Sequence, residues 1–145
     1  MWEATAETEA NASAESVWAL WEDPGRWREW NEDIASAALE GDFALGSRAR
    51  IRFKRSLPLR FEITELQPRR LFTDETRLPG ARLGHEHSIQ ASDGGVVIRN
   101  RLYLDGPAER LYAALMGRRM SASVRRFIEL ERELAESGPS SASAA

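Results

Sequence analysis

His85 and His87 are the only imidazoles in this chain, and they stand two residues apart in an alternating segment. On a strand that spacing puts both side chains on one face, with Leu83 and Ile89 as its other members. Two of these four are apolar, so the face reads as inward, with Glu86 and Ser88 outward. The next alternating segment carries Val96, Ile98, Leu102 and Leu104 in phase with one polar residue, Asn100. The preceding segment carries Phe72, Thr76 and Leu78 in phase with Asp74. Pairing of these neighbours would gather His85, His87, Asn100 and Asp74 on one inner surface. Because imidazole ionises near neutrality, His87 or His85 is placed as a general base. Asp74 would orient the ring, Asn100 would bond a ligand carbonyl, and Arg119 from a later helix would hold an enolate or carboxylate. The chemistry is proton abstraction beside a ketone, followed by aldol closure or dehydration. The plainer reading is that the same groups satisfy one another or recognise a ligand without transforming it.

Other chemistries are excluded or unsupported. The absence of cysteine removes disulfides, thiolate metal sites and cysteine nucleophiles. His85, His87 and Asp74 offer two nitrogens and an oxygen, a donor set that zinc or iron accepts. No motif fixes a further ligand, and no metal or other cofactor is expected. His85-Glu86-His87 also lacks the helical spacing of the zinc proteases. No glycine-rich phosphate loop, nucleophile elbow or Walker-type lysine is present. A net charge of −3 argues against a nucleic-acid partner. The nineteen arginines against one lysine, Lys54, read as compositional bias, the alternative being an anion site built on guanidinium forks. No stretch approaches the ~20 apolar residues of a membrane span. Met1-Trp2-Glu3 opens an acidic segment unlike a signal peptide, so a cytoplasmic location is expected.

The elements that must position these groups follow from periodicity. Residues Trp2 to Ala10 alternate and read as a half-buried strand. Ser13 offers a helix cap before Val17, Trp18, Leu20 and Trp21, and Pro24-Gly25 stops that helix. A second short helix is expected through Arg26, Trp27 and Trp30. Six strand-like runs follow: Ile34 to Leu39, Arg48 to Arg55, Leu59 to Leu66, Leu71 to Leu78, Leu83 to Ala91 and Val96 to Leu104. Their hairpin-type separators mean an antiparallel meander. Pro107 is expected to open a long helix whose inward stripe runs through Tyr112, Met116, Met120, Phe127, Leu130 and Leu134, with Arg119 and Ser123 in the same arc.

At 145 residues the expectation is one domain, residues 1–136, followed by a disordered polar tail over 137–145. A seven-stranded sheet with one apolar face curls and needs a cover, and the final helix is the only long apolar one. The fold class is therefore α+β, a helix-grip fold: a curved antiparallel sheet wrapped around a long C-terminal helix, with two short helices between the first and second strands. Its usual consequence is an internal cavity near the tryptophan-bearing helices. Trp27 and Trp30, the inward Phe53 and Phe61, and Tyr112, Met116 and Met120 of the long helix are placed with Asp74 and Asn100 around a ligand. Glu3, Glu7 and Glu9 on the first strand should face Arg99 and Arg101 on the last. The Arg48, Arg50, Arg52, Lys54 row reads as a guard against stray strand pairing.

The sequence resembles the START-like superfamily, also called SRPBCC, and most closely its polyketide cyclase/dehydrase-like branch. The residues that carry the resemblance are Ser16-Val17-Trp18-Ala19-Leu20-Trp21, Trp27-Arg28-Glu29-Trp30-Asn31, Leu78-Pro79-Gly80 with His85-Glu86-His87, and Leu104-Asp105-Gly106-Pro107. The resemblance implies a hydrophobic small-molecule ligand such as a lipid, polyketide or aromatic compound, and in a few members a cyclase. Binding alone, cyclisation or dehydration by a histidine base, and a module whose sheet contacts a protein are the three expectations, in that order. A homodimer through edge strands is compatible with the pattern.

Overall fold

A computed structural model describes residues 1–137. Strand β1 (Trp2–Ala10) alternates half-buried and exposed side chains along its length. Helix α1 (Ala14–Trp21) starts where the Ser13 hydroxyl accepts the Ser16 amide at 3.1 Å, the cap that a serine at this position supplies. Asp23 caps a 3-10 turn over Pro24–Arg26 in the same manner, and α2 (Trp27–Trp30) follows directly. The remaining strands are β2 (Ile34–Leu39), β3 (Arg48–Phe53), β4 (Leu59–Gln67), β5 (Leu71–Leu78), β6 (Ala81–Ser92) and β7 (Gly95–Asp105). Helix α3 (Glu109–Ser137) completes the order.

All seven strands form one antiparallel sheet in the order β1-β7-β6-β5-β4-β3-β2. Its concave face lies against α3, which buries Met120, Val124, Phe127 and Ile128 on that side. This is the helix-grip arrangement expected from the element order. The register fixes two rows across the concave face. In one, Phe72 pairs with His87, His87 with Asn100 and Asn100 with Ala6; in the next, Asp74 pairs with His85, His85 with Leu102 and Leu102 with Ala4.

The start of α3 differs from expectation. Pro107 and Ala108 lie in a turn whose Ala108 amide donates to the Gly80 carbonyl at 2.9 Å, and the helix begins at Glu109, with the Ala108 carbonyl accepting from the Leu111 and Tyr112 amides. Gly106 allows that approach: its φ is +130°, and a Cβ there would lie 2.7 Å from the Gly80 oxygen. The helix runs through Ser137, the first residue of the expected tail, and residues 138–145 lie outside the described ones. On the convex face Arg101 reaches Glu3 at 3.4 Å and Arg99 reaches Glu7 at 3.9 Å, the pairing anticipated from neighbouring outer rows. Among the described residues no helix is long and apolar enough to cross a membrane.

Candidate functional site

The four-tryptophan segment decides which inner residues are sealed. Trp21 of α1 and Trp30 of α2 stand over His87 with ring centroids at 5.2 and 5.5 Å. Phe72 stacks on one face of that imidazole at 3.9 Å and 7°, and His85 on the other at 3.7 Å. His87 is thus 0% exposed. Its Nδ1 lies 3.4 Å from the Phe72 carbonyl, while Nε2 has no hydrogen-bond partner. Burial, then the neighbouring His85, holds its pKa well below the ordinary value.

A buried polar chain crosses from α1 to the sheet. The indole N–H of Trp21 donates to Glu131 Oε1 at 3.2 Å. Asn100 Nδ2 donates to Glu131 Oε1 at 3.0 Å and to Oε2 at 3.2 Å. Asn100 Oδ1 then meets His85 Nε2 at 2.5 Å. Glu131 is fully enclosed, and desolvation raises its pKa to about 8 against the pull of its two donors. His85 is held down to about 4, burial outweighing its bond to Asn100.

Beyond His85 the packing stops, leaving a cavity of about 240 Å³. The rings of Trp27, Trp30, Phe53, Phe61 and Phe127 supply much of its wall, with Met116, Met120 and Ser123 of α3. Asp74 and His85 reach it from adjacent strands. The Asp74 carboxyl is pushed up to about 8, by burial first and by the Glu75 charge second. At neutral pH this surface therefore carries a neutral acid beside a neutral imidazole. Asn31, Asp33, Arg55, Ser56 and Arg119 complete the lining.

Several expected positions change. His87 does not line the cavity, because it sits one row nearer α1, where the aromatic rings close over it. Asn100 is likewise enclosed, and it binds Glu131 and His85 where a ligand carbonyl was expected. Asp74 faces the cavity without bonding to either imidazole. Tyr112 lies outside the lining, its hydroxyl donating to the Pro79 carbonyl at 2.9 Å. Arg119 lines the cavity but is an exposed residue. Trp27 and Trp30 serve as both core and wall: their indole N–H groups donate to the Trp21 and Leu20 carbonyls at 2.7 and 3.2 Å.

Glu131 is the buried polar residue that the periodicity reading missed. The buried stripe of α3 runs Met120, Val124, Phe127, Glu131, Ala135, at spacings of three and four. A charged residue in the middle of that series was the available signal. The larger apolar Leu130 and Leu134 drew the stripe one position aside, and both are half-buried. Asp33 and Ser56 lie outside regular elements, where no periodicity points to them, and Arg55, expected as the last residue of the Arg48 to Arg55 strand, lies beyond β3, which ends at Phe53.

A curved antiparallel sheet closed on a long helix around an apolar cavity is the START-like, helix-grip class. Within it, the chain belongs to the family described as polyketide cyclase / dehydrase and lipid transport, which it matches over residues 1–133. Solved structures share the fold. Protein MLL2253 from Mesorhizobium loti superposes with a TM-score of 0.72 at 16% identity, covering 92% of this chain and 96% of that one. Truncated norcoclaurine synthase from Thalictrum flavum gives 0.71 at 12% identity, with 94% of each chain covered. The di-domain ARO/CYC StfQ from the steffimycin biosynthetic pathway gives 0.74 at 12% identity, over 92% of this chain and 50% of that one. At these identities the likeness is one of fold. No curated protein matches the chain in sequence.

Proposed function

We propose that this protein binds a small, largely apolar aromatic molecule in the cavity between β5, β6 and α3. The observation that carries this reading is a concave, partly open space walled largely by aromatic rings and thioethers, with Asp74 and His85 converging on it from the sheet. Its size, about 240 Å³, lies below the ~300–1,000 Å³ usual for drug-sized ligands and suits one or two fused rings. Met116 and Met120 give the wall some adaptability to ligand shape. Native mass spectrometry of protein purified from its own host should reveal a co-purified small molecule. A bare mass, together with no thermal shift on adding naphthalene-sized aromatics, would overturn the reading.

A second reading, cyclase or dehydrase chemistry, is favoured by the neutral acid and neutral base on one surface. His85 would take a proton from the carbon next to a ketone while Asp74 gives its proton to the ketone oxygen, yielding an enol. The enol carbon would then attack a second carbonyl of the same molecule, with loss of water completing an aromatic ring. Arg119, on the lining, would hold a carboxylate or enolate end. Solvent deuterium exchange into 2-tetralone tests the first step. The wild type should accelerate exchange, and both His85→Phe and Asp74→Asn should abolish the effect; a rate equal to that in buffer rejects this reading.

A further inference from the structure

The buried polar chain has a direction that can be read from its chemistry. It begins at an indole N–H, which is a donor in every state. Glu131 Oε1 must therefore accept, whether the carboxyl is ionised or protonated elsewhere. Asn100 sets its amide nitrogen against both carboxyl oxygens, donating to Oε1 at 3.0 Å and to Oε2 at 3.2 Å, which turns the amide oxygen toward His85. An amide oxygen only accepts, so His85 Nε2 carries the hydrogen and Nδ1 keeps a lone pair. That Nδ1 makes no hydrogen bond among the described residues and is not sealed off by the packing, while His85 lines the cavity. His87 is set the other way: the Phe72 carbonyl calls for a hydrogen on Nδ1. Two stacked imidazoles on one strand thus hold opposite tautomers.

We infer that Glu131 is a positioning residue that, through Asn100, presents the Nδ1 lone pair of His85 to the cavity, and that the ligand is a hydroxyl-bearing aromatic whose O–H donates to that lone pair. The inference rests on the cavity being the binding site proposed above. An apolar cavity that offers a fixed, otherwise unpaired acceptor selects a phenol over its methyl ether, because only the phenol satisfies the nitrogen it desolvates.

Two measurements test this. Long-range proton–nitrogen NMR on the nitrogen-15-labelled protein, with the two imidazoles assigned from His85→Phe, should find hydrogen on Nε2 of His85 and on Nδ1 of His87. Glu131→Gln keeps a side-chain oxygen for Trp21 and Asn100 and should keep that pattern; Glu131→Met removes the acceptor and should mix the His85 tautomers. A wild-type His85 protonated on Nδ1, or a pattern unmoved by Glu131→Met, overturns the assignment. In titrations, 2-naphthol should bind about tenfold tighter than 2-methoxynaphthalene, as expected for one hydrogen bond. The preference should persist in Glu131→Gln and vanish in Glu131→Met. If Glu131→Met does not fold, His85→Phe, which retains an aromatic ring in the stack, should abolish the preference. Equal binding of the two probes to the wild type rejects the ligand class and leaves cavity binding standing; binding of neither rejects both.

Discussion

His85 and His87 sit two residues apart on the same strand, 8% and 0% exposed, yet they belong to differently built halves of the concave face. The half toward α1 is filled. Val17, Trp21 and Phe72 are wholly enclosed there, and Trp18, Trp21 and Trp27 all lie within 6.2 Å of Phe72 between ring centroids. The half toward the middle of α3 is covered by thioethers, Ser123 and Arg119, and there the cavity remains. Strand alternation is the same in both halves, so the strands do not decide which imidazole meets a ligand. The covering helices do: Trp18 and Trp21 of α1 close the space on one side, whereas Met116, Met120 and Ser123 of α3 stand off from Trp27 and Trp30 on the other and leave it open. Stability should therefore concentrate in the first half and binding in the second.

The largest effect should come from Trp21→Ala. Removing a fully buried indole costs about 3–5 kcal/mol, and here it also takes a donor from the buried Glu131. Met116→Ala, at a half-buried position on the cavity wall, should cost roughly 1 kcal/mol while changing aromatic-ligand affinity. Urea unfolding of the two variants measures the contrast. Equal losses would mean that the two halves are not divided between stability and binding.

Acid–base behaviour gives the next largest effect, with one buried carboxyl in each half. Glu131 and Asp74 are both raised to about 8, from ordinary values of 4.5 and 3.8. Each binds its proton more tightly folded than unfolded, so its contribution is present at low pH and lost as pH rises from its ordinary value to about 8. The histidines act oppositely. His85, lowered to about 4 from 6.5, adds stability as pH climbs through that interval, and His87 has the same sign. Below about pH 6.5 the two trends oppose. Above that the carboxyls dominate, and stability should fall toward pH 8 by up to one proton per carboxyl. Glu131→Gln and Asp74→Asn should each remove part of the slope. Bound ligand should alter only the Asp74 part, since Glu131 does not line the cavity. Urea midpoints at pH 6.5 and 8 decide it, and a flat wild-type profile would mean that both carboxyls are already ionised.

Much of this arrangement was legible in the chain itself. Leu71 to Leu78 was bounded correctly because Gln67-Pro68 and Pro79-Gly80 bracket the run. The inward turn of His85, His87, Asn100 and Asp74 also followed, since each interrupts an apolar row in phase. What alternation cannot convey is depth along the sheet axis. His87 and His85 share a face and Trp30 approaches both, but only the fold of α1 places Trp21 over His87, while His85 is left beside the cavity. Helix phase failed for a different reason. Glu131 lies on the buried line through Phe127 and Ala135, but hydropathy weighting favoured Leu130 and Leu134, and a carboxyl reads as solvent-facing until its donors are known.

The smallest predicted effect marks where the open half ends. Tyr112 lies on the same helix as Met116 but outside the cavity lining, with its hydroxyl on the Pro79 carbonyl at an exposed position. Tyr112→Phe deletes one solvent-accessible hydrogen bond and leaves the ring in place. Its cost should stay below about 1 kcal/mol, the usual net worth of such a bond. The affinity for 2-naphthol should not change, whereas Met116→Ala one turn further along should change it. A Tyr112→Phe variant that weakened 2-naphthol binding would extend the binding half toward the β5–β6 turn, because the lost hydroxyl would then have to touch the ligand in the bound state.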